Sequence, residues 1–359
     1  MIINATNIGE NLTGIGRYSL SISLYFLEHW DYPFQLFINN RASVHFKEVQ
    51  NKNKIKLVSG YISPDLGFKG HLPRLLWVNK LSLQNQKEVI FNTSQLEGCL
   101  YHKKQIITVH DLIPLIFPRQ HPRQYHYFKY LLPIILKRNI EIITVSDYTK
   151  DLLIDLYKIH KQRIFVIRNG ISEHFLNCKL NSQKQNYILY IGKLSPTKNI
   201  KGLIKAFEIL VNIYNLDLKL KLTGYIEKLY FEIDNKIKNK VEFIGFPCDN
   251  DLLDLYRNAL LFVFPSLSEG FGLPPLEAMA CGCPVVVSNV ASLPEVCGDA
   301  AYYVDPYNVE SIADGIYKVL TNETLRQGMI QKGIERAKLF SWEKSAEEHL
   351  KVFEEVLNS

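Results

Sequence analysis

Two glutamates, Glu269 and Glu277, are separated by seven residues in the segment SLSEGFGLPPLE. The glycines between them let the backbone approach a ligand closely, and the prolines that follow suit the first turn of a helix. We expect the backbone N–H groups near Phe271, Gly272 and Leu273 to face the crevice at the carboxyl ends of the strands, where a phosphate can bind. Carboxylates accept hydrogen bonds from hydroxyl groups. The segment therefore predicts a nucleotide-sugar site, with two solvated glutamates as the alternative.

A pair of lysines follows a second apolar strand, in the segment YILYIGKLSPTKNIKGLIKAF. Lys193 comes directly after Gly192, and Lys198 lies just before a helical pattern begins. Cations placed between a strand end and a helix start can neutralise a leaving diphosphate without a metal ion. For this segment alone, surface lysines on a loop are the simpler interpretation. Combined with the two glutamates, the lysines favour a diphosphate site.

The first half of the chain contributes two weaker signals. Gly14 and Gly16 follow the opening strand and precede a helical pattern, so a sugar or phosphate can approach this backbone. Ser19 stands where a dinucleotide fingerprint requires its third glycine. His110 comes directly after an apolar strand, at the crevice edge, although an isolated histidine is usually structural.

Residues 261–306, LFVFPSLSEGFGLPPLEAMACGCPVVVSNVASLPEVCGDAAYYVDP, resemble the donor-site segment of the family-four retaining glycosyltransferases. The resemblance implies that Glu277 holds the ribose hydroxyls and that Glu269 and His110 contact the transferred sugar. It further implies that Lys193 and Lys198 neutralise the diphosphate while backbone amides cradle phosphate; the residues concerned are Gly14, Gly16, Phe271, Gly272 and Leu273. Lys193 stands where the family commonly has an arginine, so the charge is kept and the bidentate fork is lost.

The fold class predicted is α/β, with apolar strands alternating with amphipathic helices. The resemblance implies the GT-B architecture, two Rossmann-like domains with parallel sheets facing across a cleft. We predict an acceptor-side domain over 1–180, a nucleotide-sugar domain over 181–340, and a tail helix over 341–359 that crosses back to the first domain. The boundary is placed at the polar stretch 177–186, which has no periodicity. The predicted strands are 1–5, 34–38, 55–58, 89–91, 106–109, 142–145, 164–166, 187–191, 219–222, 241–243, 261–264, 284–287 and 301–304.

Composition and charge narrow the class of protein. The chain has 359 residues, of which 47% are hydrophobic and 22% charged, values typical of a globular protein large enough for two domains. Residues 1–180 hold 23 Lys and Arg against 13 Asp and Glu, a balance of +10, while the remainder holds 19 against 23, a balance of −4. A basic first half favours an anionic partner, yet no nucleic-acid-binding motif accompanies it. The start MIINATNIG has neither a basic nor an apolar signal region, and no long apolar run occurs, so we expect a cytoplasmic protein.

The segment FPRQHPRQYHYFKYLLPIILKR, residues 117–138, interleaves basic, aromatic and aliphatic side chains. Two interpretations are open. It is an interfacial segment held by anionic lipid headgroups, which would make the protein peripheral on the inner face of the cell membrane, or it is a helix that packs its apolar side on the N-terminal sheet.

The string Asp249-Asn250-Asp251 matches the Asp-x-Asp pattern of metal-dependent glycosyltransferases. It also precedes a helical pattern, where aspartates act as caps and first-turn charges, and we predict this capping role. No metal site and no cofactor are expected.

The resemblance implies a retaining hexosyltransferase, and the lysine pair favours one that works without a metal ion. The partners expected are a nucleotide diphosphate sugar donor and a lipid-linked or saccharide acceptor in surface polysaccharide biosynthesis, such as O-antigen. The resemblance favours GDP-mannose as donor ahead of UDP-sugars. Two alternatives stay open: a catalytically silent nucleotide-sugar-binding subunit, and a nicotinamide-dependent oxidoreductase, for which the intact glycine fingerprint is missing.

Overall fold

The computed structural model of the chain describes residues 1–138, 140–181, 183–224 and 232–358. The chain divides into two compact units: Met1–Gly170 together with Trp342–Ser359, and Ile171–Ser341. The strands are β1 Ile2–Asn4, β2 Gln35–Asn39, β3 Ile55–Val58, β4 Ile90–Asn92, β5 Gln105–Val109, β6 Glu141–Thr144, β7 Ile164–Val166, β8 Gln185–Tyr190, β9 Lys219–Thr223, β10 Val241–Gly245, β11 Ala259–Phe264, β12 Val285–Ser288 and β13 Ala301–Val304. The α-helices are α1 Gly14–His29, α2 Phe68–Gln84, α3 Ile113–Ile116, α4 Pro122–His126, α5 Leu132–Leu136, α6 Asp147–Tyr157, α7 Glu173–Leu176, α8 Ile200–Asn212, α9 Asp249–Asn258, α10 Leu273–Ala280, α11 Leu293–Cys297, α12 Val309–Thr321, α13 Glu323–Ala337 and α14 Trp342–Leu357.

The sheet of the first unit has, among its described residues, seven parallel strands in the order β3-β2-β1-β4-β5-β6-β7. Strand order reverses between β1 and β4, and such a switch point opens a crevice at the carboxyl ends of the strands. The loops that carry Gly14 and Thr93 leave the sheet at these two strands. The tail helix α14 belongs to this unit, where the Phe353 ring lies 4.8 Å from Phe91 and 5.4 Å from Phe26.

The sheet of the second unit has six parallel strands within the described ranges, in the order β10-β9-β8-β11-β12-β13. Here the order reverses between β8 and β11. The loop bearing Lys198 follows β8 and the loop bearing Glu269 follows β11, so adjacent strand ends place the two loops side by side. Each strand from β1 to β13 overlaps a strand predicted from the sequence. The predicted α/β class with parallel sheets is confirmed.

The observed division falls between Gly170 and Ile171, earlier than the boundary predicted near residue 180. The reason is packing that a polar composition does not reveal. Ile171 forms a parallel bridge with Ser341, and its N–H donates to Phe340 O at 3.1 Å. Farther along, the Lys184 ammonium donates to backbone oxygens of the second unit. The stretch predicted as a linker is therefore held on that unit.

Candidate active site

The turn between β11 and α10 depends on Gly272, the N-cap residue of α10. Its φ of 114° lies in the region that favours glycine, and a Cβ there would stand 2.8 Å from Leu293 Cδ2. The Ser292 Oγ atom lies 3.0 Å from Glu269 O and 2.7 Å from Phe271 O, so its one hydrogen is shared between the two carbonyl oxygens. These contacts fix the backbone on both sides of the turn and place the start of α10 at the carboxyl end of the sheet. Leu273 is the first residue of the helix.

Glu269 and Lys198 form an ion pair within the second unit. The Lys198 ammonium lies 2.6 Å from Glu269 Oε1 and 2.7 Å from Oε2. Both side chains are largely buried, at 20% exposure for Lys198 and 10% for Glu269. The Leu267 N–H donates to Thr197 O at 2.9 Å and so joins the two loops. The sequence predicts a role for each residue separately, whereas the structure places them in direct contact.

Lys193 lies on the same loop as Lys198, five residues earlier in the chain. Its side chain is exposed and, in the part of the chain that the structure describes, forms no ion pair. The glycine before it, Gly192, has a φ of 150°, and a Cβ there would stand 2.8 Å from the Tyr190 hydroxyl oxygen. The backbone that leads into Lys193 is therefore conformationally constrained at Gly192.

Glu277 lies inside α10 with 9% exposure. Its Oε2 accepts a hydrogen bond from the Tyr256 hydroxyl at 2.9 Å. Tyr256 is fully buried, and burial together with the nearby carboxylate raises the pKa of its phenol well above the usual value. The phenol therefore stays protonated and donates to Glu277. The local sequence around Tyr256 does not indicate this contact, because an aromatic at helical spacing is ordinarily a core residue.

In the first unit, α1 begins at Gly14, with Thr13 as its N-cap. The Thr13 side-chain oxygen accepts from Gly16 N at 3.2 Å, so one of the two glycine amides considered for phosphate binding already has a partner. Gly14 is exposed, and no atom lies within 4 Å of the position a Cβ would take. Open space at Gly14 leaves the start of the helix accessible to an anion.

His110 is 5% exposed and follows β5. Its Nε2 lies 2.9 Å from Thr93 O, and because a carbonyl oxygen only accepts, Nε2 carries the proton. Burial lowers the pKa of His110 to about 4, so at neutral pH the ring is uncharged and Nδ1 is an acceptor. The Tyr18 ring meets the imidazole edge-on at 4.7 Å. A neutral, oriented imidazole can accept a hydrogen bond from a sugar hydroxyl.

Tyr18 connects His110 to the tail helix. Its hydroxyl lies 2.7 Å from His349 Nε2 and 2.8 Å from Thr108 Oγ1. His349 Nδ1 lies 2.6 Å from Ser345 O and therefore carries the proton of that ring, so Nε2 accepts from Tyr18. Burial lowers the pKa of His349 to about 4. One buried network thus joins α1, β5 and α14.

The capping role predicted for the Asp249-Asn250-Asp251 string is confirmed. Helix α9 begins at Asp249, and the Asp251 carboxylate accepts from Cys248 N at 3.2 Å, as in a capping box. Among the described residues, no group of three or more His, Cys, Asp or Glu side chains is arranged to hold a metal ion.

The basic segment 117–138 folds as α4, a π-helical turn Tyr127–Leu131 and α5. Its inner side packs in the core through Phe128, Leu132, Ile135 and Leu136. Its outer side exposes Tyr130 and Ile134, at 58% and 52%. The packing interpretation is therefore correct for the inner side, and the outer side is still available to a partner.

Comparison with known proteins identifies the family. Residues 13–175 match the family described as Glycosyltransferase Family 4, and residues 173–336 match the one described as glycosyl transferases group 1. The chain is 33% identical to the O-antigen chain mannosyltransferase B of Escherichia coli, over 95% of this chain and 96% of the relative. The chain therefore belongs to the glycosyltransferase family that these two matches describe. It is also 30% identical to the O-antigen chain mannosyltransferase RfbU of Salmonella typhimurium strain LT2, over 89% of this chain and 90% of the relative.

Solved structures agree on the fold. The chain superposes on WaaG, a glycosyltransferase involved in lipopolysaccharide biosynthesis, with a TM-score of 0.75 at 14% identity over 98% of this chain and 99% of WaaG. It superposes on Anabaena HepE in complex with UDP-glucose with a TM-score of 0.73 at 16% identity, over 99% of each chain. The GT-B fold and the glycosyltransferase family predicted from the sequence are confirmed, and with them the assignment as an enzyme that uses a sugar donor and a saccharide acceptor.

Proposed function

We propose that this glycosyltransferase is a retaining hexosyltransferase that transfers mannose from GDP-mannose to a lipid-linked or saccharide acceptor in O-antigen synthesis. The observation that carries the proposal is the similarity to two O-antigen mannosyltransferases along nearly the whole of each chain. The second unit supplies groups suited to the donor: a cation in contact with a carboxylate, and a second carboxylate held by a buried phenol.

The chemical problem in this reaction is the charge that develops on the leaving diphosphate. Lys198 is proposed to stabilise that charge together with Lys193, five residues earlier on the same loop, aided by backbone amides at the start of α10. Glu269 then exchanges contact with Lys198 for contact with hydroxyls of the sugar. Glu277 is proposed to hold the ribose diol of the nucleotide, since a carboxylate accepts from two hydroxyls at once.

In the first unit, the Nδ1 atom of His110 is proposed to accept from a hydroxyl of the transferred sugar, and the Gly14 backbone to lie near phosphate. We propose that retention proceeds by attack on the face from which the diphosphate leaves. The bond from the anomeric carbon to phosphate oxygen breaks, the bond to the acceptor oxygen forms, and the acceptor proton passes to the departing phosphate oxygen. No step in this sequence requires a nucleophilic side chain.

The experiment is acceptor-dependent turnover with octyl α-mannoside as the acceptor probe. Release of GDP from GDP-mannose is expected to rise when the acceptor is added, and the product anomer, followed by proton NMR, is expected to be α. A β product would contradict retention. Tight binding of GDP-mannose without release in the presence of this acceptor or of lipid-linked oligosaccharide extracts would favour the silent binding subunit. Faster turnover with a UDP-sugar would overturn the donor.

We also propose that the first unit docks on an anionic membrane surface, which would bring a lipid-linked acceptor to the enzyme from the cytoplasmic side. Helix α2 exposes Leu72, Leu76 and Leu83 at 55%, 64% and 62%, and their spacing places them on one face. The Leu100 N–H donates to the Asn79 side chain of the same helix at 2.7 Å, and Arg138 lies 5.3 Å over the exposed Tyr101 ring. The first unit therefore exposes apolar groups and also carries basic residues, a combination typical of interfacial binding.

A further inference from the structure

Tyr256 is buried beside the carboxylate to which we assign ribose binding. It lies near the end of α9, is fully inaccessible to solvent, and donates from its hydroxyl to Glu277 Oε2 at 2.9 Å. A hydrogen bond to a charged acceptor is stronger than one between neutral groups. Glu277 is itself 9% exposed, so little water competes for this contact.

The ring that carries this hydroxyl is fixed by its neighbours. Phe262 of β11 meets it at a centroid distance of 5.5 Å and an interplanar angle of 65°. Phe175 of α7 meets it at 6.0 Å and 83°. Both are edge-to-face arrangements, which hold an aromatic ring in one orientation. The hydroxyl position is thereby set by a central strand and by a helix outside α9.

A glutamate side chain has three rotatable bonds, and a site that must meet two neighbouring hydroxyls tolerates little freedom in them. The Tyr256 hydroxyl donates to one oxygen of the Glu277 carboxylate. This hydrogen bond restricts rotation about the terminal Cγ–Cδ bond of Glu277. Burial and the neighbouring Glu277 raise the pKa of the Tyr256 phenol. The phenol therefore keeps the proton that it donates to Glu277.

We propose that Tyr256 is a positioning residue that orients the Glu277 carboxylate toward the ribose diol of the donor. The inference rests on the ribose-binding role proposed for Glu277, and it adds a residue that selects ribonucleotide over deoxyribonucleotide donors. Tyr256 acts through Glu277 and does not touch the donor.

The test compares Tyr256→Phe with the unmodified full chain. Calorimetry gives the Kd of GDP and of 2′,3′-dideoxy-GDP, which lacks the diol; UDP and its dideoxy form replace them if UDP binds the unmodified enzyme more tightly. We expect the unmodified enzyme to prefer the ribonucleotide by about tenfold or more, and Tyr256→Phe to reduce that preference to less than about threefold by weakening ribonucleotide binding alone. The KM for the donor should rise while kcat at saturation changes little.

Tyr187→Phe is the matched control. Tyr187 of β8 is 2% exposed, and its hydroxyl donates at 2.7 Å to Leu255 O, in the helix α9 that also carries Tyr256. It is expected to lower the melting temperature without changing the ribose preference. If both phenylalanine variants reduce the preference equally, the effect is general loosening of α9 and the proposal is wrong.

Glu277→Ala separates failure of this inference from failure of the ribose role. Loss of the ribose preference in Glu277→Ala with full retention in Tyr256→Phe would overturn the role of Tyr256 and leave that of Glu277 standing. An unchanged preference in Glu277→Ala would overturn the ribose role itself. The double variant Tyr256→Phe/Glu277→Ala removes both the hydroxyl and the carboxylate, so neither group is left buried without its partner. It replaces Tyr256→Phe in the test if Tyr256→Phe does not fold. It should match Glu277→Ala, and a further weakening of GDP binding would contradict the proposal.

Discussion

At the scale of single residues, the donor site that we propose contains two carboxylates with different neighbours. The Lys198 ammonium contacts both oxygens of Glu269, and the neutral Tyr256 phenol donates to Oε2 of Glu277. The Glu269 carboxylate can release the Lys198 cation to a diphosphate. The Glu277 carboxylate, which accepts a hydrogen bond from the Tyr256 phenol, can keep its orientation when the donor binds. The difference matches the distinct roles proposed for the two residues.

We expect Glu277→Ala to weaken donor binding by about 1.5 to 3 kcal/mol, the cost of losing hydrogen bonds to a charged group. Calorimetry with GDP-mannose measures the change, and thermal unfolding checks the fold. Glu310→Ala, at an exposed position early in α12 of the same unit, is the control and should bind as the unmodified enzyme does. Equal donor affinity in a folded Glu277→Ala variant would remove this residue from the site.

Lys198→Met removes the cation and leaves the Glu269 carboxylate without its ionic partner. Loss of one group that stabilises developing negative charge typically lowers kcat on the order of 10² to 10³ fold, and we expect a fall of that size. Lys201→Met, an exposed lysine at the start of α8, is the matched control. Lys198→Arg keeps the charge and should retain part of the activity. A kcat within about twofold of the unmodified value in Lys198→Met would show that the diphosphate is stabilised elsewhere.

Excess EDTA is expected to leave turnover unchanged, because lysines and backbone amides, in our proposal, meet the diphosphate. Initial rates of GDP release with and without the chelator test this. Activity that disappears with EDTA and returns with magnesium or manganese would contradict metal independence. Asp249, at the start of α9, would then be the first position to mutate.

The sequence predicts Glu269 and Lys198 as site residues, but it does not predict their contact. The pairing joins residues 71 positions apart through loops whose side-chain directions a strand pattern does not define. Tyr256 shows the same limit more sharply, since nothing in its local sequence distinguishes it from a core tyrosine. Spacing indicates which strand end a residue follows, and only packing determines what its side chain meets.

At the scale of elements, strand positions followed from the apolar runs because parallel strands covered on both faces need apolar residues throughout. β5 and β11 show this, since nearly every residue in them is buried. The division at Gly170 was harder to predict. A polar, aperiodic stretch resembles a linker in composition, yet backbone oxygens can bind its polar groups, as Gly282 O binds the Lys184 ammonium at 3.1 Å.

The tail helix α14 supplies a titratable group to the buried network around His110. Burial lowers the pKa of His349 from 6.5 to about 4, so the unfolded chain binds this proton more readily than the folded one. The contribution of His349 to stability is therefore present above about pH 6.5 and is lost as the pH falls toward 4.

We expect His349→Gln to flatten the fall in melting temperature between pH 6.5 and pH 4, because glutamine keeps an acceptor for Tyr18 but does not titrate. Thermal unfolding across this range measures the slope. His160→Gln, at an exposed position, should leave the slope unchanged. A slope in His349→Gln equal to that of the unmodified enzyme would mean that His349 is not the group that loses stability in acid.

At the scale of the whole molecule, charge separates the two halves of the chain, +10 over residues 1–180 and −4 over the remainder. No helix in the described part of the chain has the length and apolar character needed to cross a bilayer. The basic residues of segment 117–138 lie on the unit that also exposes the leucines of α2. A surface of this kind can attract anionic headgroups while its apolar groups enter the interface.

Vesicle binding by the first unit is expected to depend on salt and on the basic residues of segment 117–138. Basic residues near an anionic surface contribute about 1 kcal/mol each, and the screening length shortens from about 10 Å at 0.1 M salt to about 3 Å at 1 M. Cosedimentation with vesicles of phosphatidylethanolamine and phosphatidylglycerol should therefore fall as salt is added. It should fall again when five residues are replaced by glutamine: Arg119, Arg123, Lys129, Lys137 and Arg138. A control with Lys201, Lys205 and Lys219 of the second unit replaced should bind vesicles as before. GDP-mannose affinity in solution should be unchanged in both variants, since neither set includes a residue proposed to touch the donor. The proposal is wrong if vesicle binding changes neither with salt nor with the five glutamine substitutions, or if no binding occurs at low salt. The outer side of α4 and α5 would then be ordinary solvent-exposed surface.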